Sequence, residues 1–271
     1  SYRREPNLDM KIVFENIECN SIPNLIDNWE FNVLDIYNYK KSGKLDPYFR
    51  FIEEKCKDVD GDICEVGVYR GNSLIATALA LKELGIDKKV WGFDSFSGFP
   101  SYHGNDSLKM FEVLFNSGDI TLDHYEKVKL NLEYKKVSID GNVNSSNIST
   151  SSDFSSTSLD VLIKKINYIG LDNIVIIPGN FMDTMSSSSL IDQKFCAALI
   201  DCDLYESHKI SLPFVWDRLN TGAYTFLDEY YSLKFPGSRI AINNFFKEKK
   251  EKPKMHNLSN GEFERWYTIK E

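Results

Sequence analysis

The amino-acid sequence predicts a doubly wound α/β domain built on a mostly parallel sheet. Three observations carry that expectation. Short, near-continuous apolar runs recur along the chain, helical patterns alternate with them, and four of the runs carry an acid at or near their ends. Buried parallel strands need apolar side chains on both faces, because helices cover both sides of the sheet. The 271 residues, 42% hydrophobic and 27% charged, suffice for one large α/β domain or two small ones with a substantial core.

Residues 1–60 are mixed and aromatic-rich, and read as a helical extension suited to substrate or subunit contacts. Within them Pro47 fits the first turn of a helix with Asp46 as its N-cap. Residues 61–271 form the main domain. Asp62-Ile63-Cys64-Glu65-Val66-Gly67-Val68 is a buried strand, followed by the turn Tyr69-Arg70-Gly71-Asn72 and an apolar helix from Ser73 to Leu84, ended by Gly85. The second strand, Val90-Trp91-Gly92-Phe93, ends at Asp94. A long insertion, roughly 101–165, comes next. Asp106 to Phe115 within it looks helical, whereas Ser138 to Ser158 is rich in Ser, Asn, Asp and Thr and is expected to be a mobile, lid-like loop. The third strand, Ile174 to Ile177, stops at Pro178-Gly179. The tract Ser186 to Ser189 reads as a loop. The fourth strand, Phe195 to Ile200, ends at Asp201, and the fifth, Ala223 to Leu227, ends at Asp228. The mixed-sign run Lys247 to Lys252 reads as a solvated helix end, and Arg265 to Ile269 as an antiparallel edge strand.

Composition removes several function classes. Lys and Arg number 32 against 40 Asp and Glu, a net charge of −8 with no broad basic stripe, so a nucleic-acid partner is not expected. No run of eighteen apolar residues exists to cross a membrane as a helix. The five cysteines form no CxxC pair, and Cys64, Cys196 and Cys202 lie in or beside apolar strand-like runs. A disulfide framework and a thiolate zinc site are both disfavoured, and a reduced, cytoplasmic protein is expected. Ser1-Tyr2-Arg3-Arg4 lacks an initiator Met and the apolar core of a signal peptide, and reads as a processed end or an imposed boundary.

In an open α/β sheet, ligands bind beyond the carboxyl ends of the strands, where the strand order reverses. Glu65, Asp94, Asp201 and Asp228 all belong to that edge. Gly67 and Gly71 flank a strand-turn-helix junction whose helix points its positive end at a bound group. The spacing is not GxGxxG, which disfavours a pyrophosphate; a carboxylate or carboxylate-plus-ammonium tail fits better, and a plain tight turn is the alternative. Asp94 is placed to accept from a ribose diol or, equally, to cap the next segment. Phe96 and Phe181 face either an adenine ring or the core. Asp201-Cys202-Asp203 and Asp228-Glu229 follow strands expected to be neighbours. Clustered carboxylates repel unless a hard cation such as Mg²⁺, Mn²⁺ or Ca²⁺ sits among them. Otherwise, Asp203 caps the helix through Ser207 and His208, and Glu229 is merely exposed.

Together Gly61 to Gly71, Phe93-Asp94-Ser95-Phe96-Ser97-Gly98-Phe99-Pro100, Asp201 to Ser207 and Leu227-Asp228-Glu229-Tyr230 resemble the macrocin O-methyltransferase (TylF-type) family, over about Asp62 to Phe246. The resemblance implies a Rossmann-like class I methyltransferase sheet, S-adenosylmethionine as cofactor and a divalent metal, Mg²⁺ or Mn²⁺. It implies that Glu65, Gly67, Tyr69 and Ser73, in the turn that also holds Arg70 and Gly71, surround the methionine half of the cofactor. Asp94 and Ser95 then lie at the ribose, and Asp201, Asp228 and Glu229 at the metal. Two departures stand out. Asp228-Glu229 replaces the family's usual pair of aspartates, and Leu204 stands where catechol-type enzymes place a lysine base.

The implied reaction is in-line transfer of a methyl group to a hydroxyl of a sugar or related polyol-bearing small molecule. Asp201 would bind the metal beside the reacting hydroxyl, and Asp203, His208 and His103 are the candidate proton acceptors, His103 being read more readily as a surface residue. Members of the family resembled often form dimers or larger homo-oligomers through N-terminal elements, and the sequence leaves the oligomeric state of this chain open. The competing readings are a metal-independent methyltransferase acting on another nucleophile, and a non-catalytic cofactor-binding domain of a larger assembly.

Overall fold

The acids of the sheet edge owe their positions to strand order. A computed structural model describes residues 11–14, 25–257 and 263–271. Its strands are β1 (Ile12–Val13), β2 (Asp62–Val66), β3 (Val90–Asp94), β4 (Ile174–Pro178), β5 (Phe195–Ile200), β6 (Leu219–Leu227), β7 (Lys254–Met255) and β8 (Trp266–Ile269). They form one sheet in the order β1-β4-β3-β2-β5-β6-β8-β7, and the five central strands are mutually parallel. The chain builds outward from β2 through β3 to β4, then crosses back to lay β5 on the other flank of β2. The carboxyl ends of β2 and β5 therefore flank the switch point. β8 pairs antiparallel with β6 as expected, but the two-residue β7 pairs beyond it, so β8 is not the outermost strand. β1 adds an antiparallel edge beside β4.

Both faces are covered. The helices are α1 (Asn28–Leu34), α2 (Asp46–Glu54), α3 (Asn72–Glu83), α4 (Met110–Asn116), α5 (Leu122–Ser138), α6 (Leu159–Ile169), α7 (Phe181–Thr184), α8 (Tyr205–Arg218) and α9 (Pro236–Phe246). Tyr48 and Ile52 of α2, Leu74 and Ile75 of α3 and Ile166 of α6 pack on one face with Ile63. Leu212 and Val215 of α8 and Ile242 and Phe246 of α9 pack on the other with Cys64 and Val66. Alternation along β2 thus turns Glu65 toward α3. The four described cysteines, Cys56, Cys64, Cys196 and Cys202, are free and buried; Cys19 lies outside the described residues. No helix among the described residues is long and apolar enough to cross a membrane.

Three local expectations are revised. Asp46 opens α2 as its first residue rather than capping it. Its carboxylate instead accepts from Ser42 Oγ (2.9 Å) and the Gly43 amide (2.8 Å), which closes the loop in front of the helix. The helical stretch expected over Asp106–Phe115 begins only at Met110, after a single 3₁₀ turn at Gly104–Asp106. The Ser-rich stretch expected to be mobile is fastened down. Ile148 is buried with Leu204 and Phe235, and Val143 and Phe154 pack against them. Asp153 O accepts from the Phe99 amide (2.8 Å), and Thr157 Oγ1 donates to Tyr69 O (2.6 Å). A few apolar residues, well spaced, anchor a polar segment that composition alone reads as unanchored.

Candidate active site

A cleft of about 570 Å³ opens over the carboxyl ends of β2, β3, β5 and β6. Its floor is the junction after β2. Gly67 (φ +88°), Tyr69 (φ +55°) and Gly71 (φ +81°) are all left-handed, and the turn delivers the chain into the first turn of α3. At Gly67 a side chain is excluded twice, by the backbone angle and because a Cβ would collide with the Asp201 carbonyl. That carbonyl belongs to the neighbouring strand's exit, so the glycine lets the two halves of the switch point close on each other.

Glu65 lies one layer behind the cleft wall. It is 1% exposed, its Oε1 accepts from Ser73 Oγ, and its Oε2 is buried without a hydrogen-bond partner. Burial, against the Ser73 hydrogen bond and with help from the charge of Asp94, pushes its carboxyl up to about 8. A buried carboxylate lacking a counter-charge is costly, and an entering ammonium group would relieve it. Asp94 braces the turn. Its Oδ2 accepts from the Val68 and Tyr69 amides (2.7 and 2.8 Å), and its Oδ1 from the Phe96 amide (2.8 Å). A carboxylate offers about four lone-pair sites, so one is left for a ligand hydroxyl in the cleft. Ser95 stands beside it in the wall and donates to Gly98 O (3.1 Å).

The acids after β5 and β6 converge. Asp201, Asp203 and Glu229 offer carboxylate oxygens that all lie within 4.8 Å of one another. Asp203 occupies the centre of a tight turn, φ +60°, in which the Leu204 amide donates to Cys202 O (2.6 Å). This is the strained form of the γ-turn, and such strain is found at functional sites. Asp228 touches Asp201 and is held by Lys44, whose Nζ lies 3.3 and 3.4 Å from its two oxygens. Burial first, and then the neighbouring acids, raise the carboxyls of Asp201, Asp203 and Glu229 above their ordinary values. Burial also acts to raise Asp228, but Lys44 and the hydrogen bond with Asp201 outweigh it and hold that carboxyl low. A hard divalent cation fits this donor set: oxygen ligands only, buried, and with more negative than positive charge.

The remaining predicted residues separate cleanly. Tyr69, Arg70 and Phe181 line the cleft with the strand-tip acids. Gly71 sits at the head of α3, outside the wall, and Phe96 packs against the core cluster of the α3 face. His208 is fully buried; its Nδ1 bonds the Leu204 carbonyl one turn back (2.8 Å), burial pushes its pKa down to about 4, and it is not part of the wall. His103 heads the 3₁₀ turn, accepting from the Asn105 amide (3.0 Å), and it too stands outside the wall. Among the candidate proton acceptors, Asp203 alone joins Asp201 at the cleft.

Sequence reasoning missed Lys44 and Lys234, the cations facing the acids. It expected the N-terminal extension and the insertion at the cleft without naming residues there; Tyr37 and Leu45 of the first and Ser149, Ser151 and Phe154 of the second line it. Asp106 was missed as well. Its buried carboxylate accepts from the Tyr205 amide (2.8 Å) and the His103 amide (2.9 Å), tying the insertion to the start of α8.

The family described as Macrocin-O-methyltransferase (TylF) matches residues 44–134 and 135–261. The chain is 26% identical over 198 residues to the mycinamicin III 3''-O-methyltransferase of Micromonospora griseorubida, covering 72% of this chain and 64% of that one. It is 25% identical over 194 residues to the demethyldecarbamoylnovobiocin O-methyltransferase of Streptomyces niveus, covering 69% and 59% respectively. The chain thus spans less than two thirds of the length of these curated relatives. Among solved structures, the O-methyltransferase NovP superposes with a TM-score of 0.55 at 19% identity, covering 82% of this chain and 79% of that one. The calicheamicin methyltransferase CalS11 superposes with a TM-score of 0.54 at 18% identity, covering 82% and 77%. These likenesses establish the Rossmann-like methyltransferase fold.

Proposed function

The chain belongs to the macrocin O-methyltransferase (TylF) family, and from that premise we propose that it moves a methyl group from S-adenosylmethionine to a hydroxyl of a sugar-bearing small molecule, with Mg²⁺ or Mn²⁺ held among its strand-tip acids. The observation that carries this reading is the meeting of Asp201, Asp203 and Glu229 beside the glycine junction of β2. The relatives named above act, by their names, on hydroxyls of natural products, which supports the acceptor class.

Each residue then has a task. Glu65, with its free Oε2, receives the α-ammonium of the cofactor, and the amides at the head of α3 receive its carboxylate. Asp94 keeps the turn in shape and offers its remaining acceptor site to a ribose hydroxyl, with Ser95 beside it. As the family resemblance implies, Asp201, Asp228 and Glu229 would hold the metal. Asp228 stands outside the converging trio of Asp201, Asp203 and Glu229 and joins it through its contact with Asp201. The metal, when bound, would lower the pKa of an acceptor hydroxyl and fix its direction. Asp203 takes the proton: it is buried at the cleft beside Asp201 and Glu229. Leu204 is buried in the insertion's apolar cluster, so the catechol-type lysine has no counterpart at its position.

Two measurements test the proposal. Calorimetric titration with S-adenosylhomocysteine is expected to show binding, and its absence would remove the methyltransferase reading altogether. Methyl transfer to glycosylated acceptors should stop in EDTA and return with Mg²⁺. Transfer that persists in EDTA would favour a metal-independent enzyme, a reading to which the Lys44–Asp228 pair lends support.

A further inference from the structure

Lys44 reaches the acids from outside the strand-tip framework. It stands in the loop before α2, and that loop is held rigidly. The Leu45 amide donates to Tyr37 Oη (3.1 Å), the Gly43 amide to Asp46 (2.8 Å), and Arg265 Nη1 to the Gly43 carbonyl (2.8 Å). The backbone is therefore fixed, while four side-chain torsions leave the ammonium free to swing. Exposure divides the ion pair unequally: the lysine side chain is 58% exposed and that of Asp228 8%. Lys44 can leave toward solvent; Asp228 cannot. The oxygens that Lys44 meets, at 3.3 and 3.4 Å, belong to one of the acids assigned above to a divalent cation. An ammonium and a divalent cation on that one buried carboxylate repel each other and compete for the same oxygens.

We propose that Lys44 is a tethered counter-ion that occupies Asp228 until a divalent cation takes it, so that metal binding is an exchange of ammonium for metal. The inference rests on the metal-dependent reading and adds a regulator of affinity to it. In the metal-free protein Lys44 compensates part of the charge of Asp201, Asp228 and Glu229 and keeps the acid-lined mouth from splaying. When metal enters, the side chain swings out to the side of the cleft lined by Tyr37 and Leu45, on which the acceptor would rest.

The test uses the full chain and Mn²⁺ as the probe, with free Mn²⁺ read by electron paramagnetic resonance. Removing the competitor in Lys44→Met should tighten Mn²⁺ binding by about tenfold, the equivalent of one modest ion pair. Lys44→Gln should move the same way, and Lys44→Arg should stay near the parent. In thermal melts in EDTA, Lys44→Met should unfold at a lower temperature than the parent, and saturating Mn²⁺ should abolish or reverse that gap. Mn²⁺ affinity that is unchanged or weaker in both neutral variants overturns the exchange while leaving the metal site standing. Failure of the parent and of both variants to bind Mn²⁺ overturns the metal reading and the exchange with it.

Discussion

The two sides of the cleft are built by different means. On the sheet side, three of the acids are set by hydrogen bonds to backbone at a strand exit: the Asp201 amide donates to Val66 O (2.8 Å), the Asp228 amide to Ile200 O (3.1 Å), and Asp94 gathers three turn amides. On the loop side, side chains add most of the long-range ties to a few backbone bonds such as that from the Phe99 amide to Asp153 O. Phe154 packs edge-on to Tyr69 and tilted against Phe99, and Arg70 grips Ser156 through both its carbonyl and its hydroxyl (2.9 Å each). Rigid strand tips suit a reaction that needs fixed geometry, and side-chain latches suit a wall that must adapt to an acceptor. The comparison makes a definite demand. Damage to the sheet side should destroy chemistry or cofactor binding, and damage to the loop side should alter acceptor handling and local opening.

The largest effect is expected at the acid cluster. Asp201→Asn removes a carboxylate that touches Asp228 and lies within the trio. Loss of such an electrostatic group costs about 10²–10³ in turnover. Affinity for S-adenosylhomocysteine, measured calorimetrically without metal, should change little. A turnover loss below tenfold would break the assignment of chemistry to the sheet side.

Glu65→Gln comes next. On the role proposed for Glu65, neutralising the partner of the ligand ammonium costs about 2–3 kcal/mol, or roughly 30- to 150-fold in cofactor affinity. The same variant has a signature in pH. Folded Glu65 keeps its proton to about pH 8, whereas an ordinary glutamate loses it near 4.5. Between those values the folded state binds more protons than the unfolded one, so this group makes the ligand-free protein less stable as pH rises through the window. An ammonium beside Glu65 favours its charged form, so binding at pH 7 should release a proton from it. Buffer-dependent binding enthalpies should show this release in the parent and a smaller release in Glu65→Gln.

How far these residues were legible in the sequence follows from the same contrast. Each of the five parallel strands was visible as an apolar run, and an acid at its end can lie only on the carboxyl edge; that is why Asp94, Asp201 and Asp228 could be read as neighbours of one cleft, whereas the two-residue β1 and β7 left no such run. Contacts closed by tertiary folding left no such trace. Lys44 meets Asp228 across 184 positions, from a loop with no periodicity of its own. His208 looked available because it follows the Asp201-Cys202-Asp203 run closely. Helical geometry instead turns its ring back to the Leu204 carbonyl inside α8. The insertion misled through composition: Val143, Ile148 and Phe154 are few, but all three join one apolar cluster with Leu204 and Phe235.

On the loop side, Phe154→Ala should spare cofactor affinity and raise KM for the acceptor several-fold. It removes two aromatic contacts worth about 0.5–1.5 kcal/mol each beyond their buried area. Hydrogen exchange over residues 139–158 should accelerate by about tenfold, the equivalent of that loss. Unchanged exchange would mean that the segment is held by its polar contacts alone.

Arg70→Ala is the mildest and most discriminating change. The guanidinium reaches across the junction to Ser156 and lies over the Tyr69 ring, 5.0 Å from its centre. These contacts are partly solvated, so global stability should fall by less than about 1 kcal/mol. Thr157 still donates to Tyr69 O and Phe154 still packs on the Tyr69 ring, so the insertion keeps two ties to the turn after β2. The expected outcome is faster exchange confined to the residues around Ser156, with affinity for S-adenosylhomocysteine within about threefold of the parent, a difference under 1 kcal/mol. If cofactor affinity instead falls as far as in Glu65→Gln, Arg70 belongs functionally to the sheet side. The boundary between the two construction principles would then run through the insertion rather than along its contact with the turn.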